Sequence, residues 1–145
     1  MFKHILVPSD GSASSELAIQ AIMRFALGAA ARVSGVHVVQ PFHVVNLKDD
    51  GLSTTLEQYE LEAARRAHAC LLSIEQYARE YSVACETQVI KADLVHAAII
   101  QAATDRQCDL IAMASRGRKG VNALTLGSAT HHVLTQSRLP VLVYC

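Results

Sequence analysis

His4-Ile5-Leu6-Val7-Pro8-Ser9-Asp10-Gly11-Ser12 decides the reading of the fold. The short apolar run from His4 to Val7 has the pattern of a buried strand, and Pro8 to Gly11 reads as its exit loop. Ser12 to Ala31 follows, rich in alanine, with Leu17, Ala21, Ile22 and Phe25 at helical spacing. Ser12 or Ser14 can cap that helix, and Glu16 stands in its first turn, where the helix dipole favours negative charge.

The alternation of strand and helix continues to the end of the chain. Val33 to Val39, Val83 to Ile90, Leu110 to Met113 and Pro140 to Tyr144 read as four further strands. Thr54 to Tyr81 reads as a long helix with Leu61, Ala64, Leu71, Ile74 and Ala78 on its inner face. Leu94 to Thr104 and Ser128 to Gln136 are shorter helices. Gln40 to Ser53 lacks steady periodicity and is expected to be the longest loop. Five strands separated by helices imply a doubly wound parallel sheet with helices on both faces, because parallel neighbours need crossover connections. Such sheets bind ligands beyond the carboxyl ends of their strands, where the strand order reverses. With no repeat or low-complexity stretch, residues 1–145 read as one α/β domain.

Composition narrows the function classes. Half of the 145 residues are apolar, enough for a substantial core. Thirteen basic residues balance thirteen acidic ones, so there is no general pull towards nucleic acid or anionic membrane, and any anion site must be local. No apolar stretch reaches the roughly 20 residues of a membrane span; Gln20, Arg24 and Arg32 interrupt the one candidate. The chain begins directly on strand-like sequence, so no signal peptide is expected. Cys70, Cys85, Cys108 and Cys145 show no Cys-x-x-Cys pairing. Cys70 and Cys85 read as small apolar fillers. These features point to a cytoplasmic protein.

After the fourth strand comes Ser115-Arg116-Gly117-Arg118-Lys119-Gly120, and Gly127-Ser128 opens the next helix. Glycines let backbone amides approach a ligand, and a helix start presents unpaired N–H groups in a positive field. Arg116, Arg118 and Lys119 add local charge, and Ser128 adds a hydroxyl. The pattern suits a polyphosphate. On spacing alone it is equally an ordinary basic surface loop, and it is not a Walker A loop.

Met113-Ala114-Ser115-Arg116-Gly117, then Gly127-Ser128, Val133-Leu134 and Leu139-Pro140-Val141-Leu142-Val143, resemble the universal stress protein family. Pro8-Ser9-Asp10-Gly11-Ser12 is similar to that family's first loop, Val36-His37-Val38-Val39 to its second strand, and Asp109-Leu110-Ile111 fits its fourth. The ATP-binding branch carries Gly-x2-Gly-x9-Gly-Ser/Thr at the loop. Gly117, Gly127 and Ser128 match, whereas Ala114 stands in place of the first glycine. Ala92 replaces a glycine often found after the third strand.

The resemblance implies strand order 3-2-1-4-5 and an ATP, ADP or AMP site. Asp10 and Val38 would face the adenine, with Pro8 and Ser9 lining the same wall. A carboxylate there accepts from the exocyclic amine; read by itself, Asp10 is also a plain turn or cap residue. Ala114, preceded by Met113, would stand against the ribose. Gly117, Gly127, Ser128 and Ala129 would surround the phosphates, with Arg116 and Arg118 as further contacts. Any Mg2+ would ride on the phosphates rather than in a protein cage.

The remaining residues bring no further chemistry. His131 and His132, adjacent on a helix, point to different faces, and His68 and His96 stand isolated, so no metal site is expected. No nucleophile constellation is present, and no general base is placed to activate water, so slow ATP hydrolysis is the most expected of it. Three readings follow: a nucleotide-dependent stress or signalling protein, a weak ATPase or self-phosphorylating protein using Ser128, and a nucleotide-free interaction module. The apolar Pro140–Tyr144 strand, if at a sheet edge, invites pairing with a second copy, and the resemblance also favours a homodimer there.

Overall fold

The structure is a computed structural model that describes residues 1–43, 55–116 and 126–145. Strand β1 spans His4–Pro8, helix α1 Ala13–Ala29, β2 Arg32–Val39, α2 Leu56–Glu80 and β3 Cys85–Lys91. Then come α3 (Val95–Asp105), β4 (Leu110–Ala114), α4 (Ser128–Gln136) and β5 (Val141–Tyr144). All strand pairings are parallel and the order is β3-β2-β1-β4-β5. The expected doubly wound sheet is therefore present, with the order reversing between β1 and β4.

Side-chain alternation along the strands divides the core in two. Ile5, Val7, Val33, Leu110 and Ala112 turn towards α1 and α2. Leu6, Val36, Ile111 and Met113 turn the other way, to Ile99, Ala102 and Ala103 of α3 and Val133 of α4. β1 and β4 are apolar on both faces because both faces are covered.

Two helix faces differ from the expected ones by a rotation. In α1 the buried stripe is Ser15, Ala18, Ile19, Ile22, Met23 and Ala26, while Leu17 is 64% exposed and Phe25 lies at the surface. In α2 it is Ala63, Ala67, Cys70, Ile74 and Ala78, with Leu61 and Ala64 turned to solvent. Helix α2 sits close to the sheet at Gly35, where a Cβ would come within 2.8 Å of the buried Ile74 side chain.

Local chemistry sets the helix ends. Ser12 is the N-cap of α1, accepting from the Ser15 amide at 3.1 Å. Thr55 and Gln58 form a reciprocal capping box that starts α2, each satisfying the other's backbone amide. That Thr-x-x-Gln signal is visible in the sequence. The expected long loop from Gln40 to Ser53 lies mostly outside the described residues.

Candidate functional site

The carboxyl ends of β1 and β4 diverge at the reversal of strand order, and the candidate residues are built around them. At the end of β1, the Ser9 amide donates to the Val36 carbonyl at 3.0 Å, and His37 Nδ1 donates to the Ser9 carbonyl at 2.8 Å. Both bonds tie the exit loop to β2, which makes His37 a structural residue of the site. Ser9 Oγ accepts from the Gly11 amide, closing a short turn. Gly11 has φ +81°, and a Cβ on it would meet Cys70 Sγ at 2.9 Å, so this turn requires glycine on two counts.

Asp10 is held at the start of α1. Its Oδ1 accepts from the Ser12 amide at 2.9 Å and from Ser15 Oγ at 2.8 Å. The turn-and-cap geometry is thus present, and it fixes the half-buried carboxylate beside the mouth of the sheet. Pro8 and Val38 are also half-buried, and Val38 packs at the margin of the α3–α4 core.

At the end of β4, successive residues point to opposite sides. Met113 is buried in the α3–α4 core, and Ala114 lies in the α1 core at 7% exposure. Ala114 is not among the described residues with positive φ, so alanine fits here without backbone strain. Ser115 closes the strand, its amide donating to the Tyr144 carbonyl of β5. The half-buried Arg116 follows. Gly117 and Arg118, expected at the phosphates, lie outside the described residues, as do Lys119 and Gly120.

Helix α4 is pinned to this strand end. The Gly127 amide donates to the Ser115 carbonyl at 2.7 Å, and Thr130 Oγ1 donates to the Ala114 carbonyl at 2.8 Å. Gly127 is the N-cap of α4, and no side chain caps the helix. The first turn, with Ser128 exposed and Ala129 half-buried, therefore directs its amides to the space beyond β4. A backbone end of this kind attracts an anion through both its unpaired donors and the helix dipole. Thr130 is the residue that the sequence reading misses; only the fold shows it reaching β4.

The chain matches the model of the universal stress protein family over residues 1–144. It belongs to that family. Universal stress protein MJ0577 of Methanocaldococcus jannaschii is 27% identical over 99% of this chain and 94% of its own length. The solved structure of MJ0577 superposes with a TM-score of 0.82, covering 99% of this chain and 95% of that one. A universal stress protein in complex with cAMP is 19% identical, with a TM-score of 0.69 over 99% of this chain and 97% of its own. One from Archaeoglobus fulgidus in complex with dAMP is 18% identical, with a TM-score of 0.68 over 97% and 96%. Two family structures thus hold adenine nucleotides.

The remaining geometry bounds the chemistry of this member. Two cavities, of about 570 and 420 Å3, lie to one side of the strand reversal, between α2 and the ends of β2 and β3. Val39, Glu60 and Lys91 line both, and neither is walled by Pro8, Asp10 or Ala114. The anchored end of α4 suits an anion better than these cavities, because it offers backbone donors and the positive end of a helix dipole, whereas Glu60 sets a carboxylate beside Lys91 in both cavities. No group of three or more His, Cys, Asp or Glu residues able to hold a metal occurs among the described residues. Among them, too, no helix is long and apolar enough to cross a membrane.

Proposed function

We propose that this universal stress protein binds an adenine nucleotide at the carboxyl edge of its sheet and acts in stress response or signalling through nucleotide occupancy, in the cytoplasm. The observation that carries this reading is the glycine-capped end of α4, anchored to β4 by Gly127 and Thr130. Gly127, Ser128 and Ala129 would receive the phosphates through their amides, with Arg116, Gly117 and Arg118 nearby. Pro8, Ser9, Asp10 and Val38 would flank the adenine, and Met113 and Ala114 the ribose. The cAMP and dAMP complexes of family members support the nucleotide class. ATP is the form we expect, with Mg2+ carried on its phosphates, and slow hydrolysis at most.

The test is thermal. In nucleotide-free protein, ATP with Mg2+ raises the melting temperature, because a ligand that binds only the folded state stabilises it by mass action. Gly127→Val places a branched side chain at the phosphate cradle and removes the shift while leaving the circular dichroism unchanged. No shift with millimolar ATP, ADP or AMP in the wild type would overturn the nucleotide reading. Normal binding by Gly127→Val would overturn the placement.

A further inference from the structure

We propose that His96 and His132 form a binding site for a borderline divalent transition cation such as Zn2+, clamping α3 to α4. In sequence these histidines belong to separate helices and His96 stands alone. The fold brings their ring centroids to 4.6 Å with an interplanar angle of 36°. Both residues are half-buried, and neither ring has a hydrogen-bond partner among the described residues. His4 Nδ1 is the one fully buried side-chain nitrogen or oxygen without a partner there, so the nitrogens of His96 and His132 remain in reach of solvent and of an ion.

The chemistry of the pair suits a metal ion. Neutral imidazole is the metal-binding form. Tetrahedral Zn2+ binds imidazole nitrogen at about 2.0–2.1 Å, which sets two ligating nitrogens roughly 3.3 Å apart. With centroids 4.6 Å apart, the two rings are close enough for one nitrogen of each to approach that spacing. Water completes the coordination on the open side. His131 supplies an internal control: it is exposed, and its ring lies 5.7 Å from that of His132 in an edge-on arrangement, on a different face of α4. The proposal rests on no part of the nucleotide reading.

The experiment is calorimetric titration of Zn2+ into tag-free, nucleotide-free protein at neutral pH, paired with NMR of the imidazole ring protons. One Zn2+ per chain is expected, and the ring signals of His96 and His132 move while those of His68 stay. Cu2+ binds more tightly than Zn2+, and Mg2+ does not bind. His96→Ala and His132→Ala each weaken Zn2+ binding at least tenfold, and His131→Ala leaves it unchanged. Binding that survives either substitution, or that is lost with His131→Ala, overturns the proposal. Because the ring signals are read in the wild type, a variant that fails to fold leaves the test intact. Unmoved His96 and His132 signals at saturating Zn2+ would refute the site.

Discussion

Gly11→Ala tests whether the turn after β1 is shaped by Cys70 on α2 as well as by its own backbone. At φ +81° an alanine sits in the left-handed region, at a cost of roughly 1–2 kcal/mol. Its Cβ would also meet Cys70 Sγ at 2.9 Å, and Cys70 is 2% exposed, so the sulfur has little room to retreat. Overpacking of this kind typically costs about 1–3 kcal/mol. Lower chain entropy in the unfolded state returns about 0.4–1 kcal/mol. The net loss then lies between about 1 and 4.6 kcal/mol, at roughly 3–4 °C in melting temperature per kcal/mol for a chain of this size. Removing the sulfur separates the two contributions. In a Cys70→Ala background the backbone cost of Gly11→Ala remains and the steric part disappears, giving a coupling energy of about 1–3 kcal/mol. Urea unfolding followed by circular dichroism of all four proteins yields the cycle, with equal m-values required for the comparison. If Gly11→Ala costs the same with and without Cys70 Sγ, the packing argument is refuted. If it costs less than about 0.5 kcal/mol in both backgrounds, the turn does not need glycine at all.

Native protein treated with a thiol reagent at mildly alkaline pH should show one fast cysteine, Cys145, which is exposed, whereas Cys70 and Cys108 are buried and burial pushes Cys85 and Cys108 up to about 11. A fast thiol persisting in Cys145→Ser would contradict this ordering. Stability should fall with pH below about 6.5, because burial, and then Arg32, lower the pKa of His4 in the folded chain, so its contribution is complete above the unfolded value of 6.5 and fades as pH drops through the folded one. Asp109 adds a second loss at lower pH: burial opposes ionisation, but the His4 and Lys3 amides outweigh it, and that contribution disappears as pH falls through a value below 3.8. His4→Gln should flatten the first loss and keep the second; an unchanged slope near pH 6 would show that His4 is not its source. We also propose a homodimer through β5, which lies at the sheet edge. Val143→Lys with Tyr144→Lys should give a monomer by light scattering while sparing Val141 and Leu142, which pack against the two cores; a wild type already monomeric at tens of micromolar would sink the dimer.

The alternation of short apolar runs with alanine-rich segments was enough to determine five strands, the doubly wound class and most boundaries, since strand and helix periods are local properties of the chain. Ser128 to Gln136 was legible to the residue, because Gly127 stops the preceding loop and the pattern after it is helical. The family's strand order was legible through motif resemblance. Only the tertiary structure decided which helix faces turn inward: α2 buries Ala63 and Ala67 and leaves Leu61 outside. It also placed Ala114 in the α1 core, joined Thr130 to the end of β4, and set His96 against His132. These are contacts between residues distant in sequence, fixed by how closely helices pack on the sheet, and no local pattern of residue types encodes that distance.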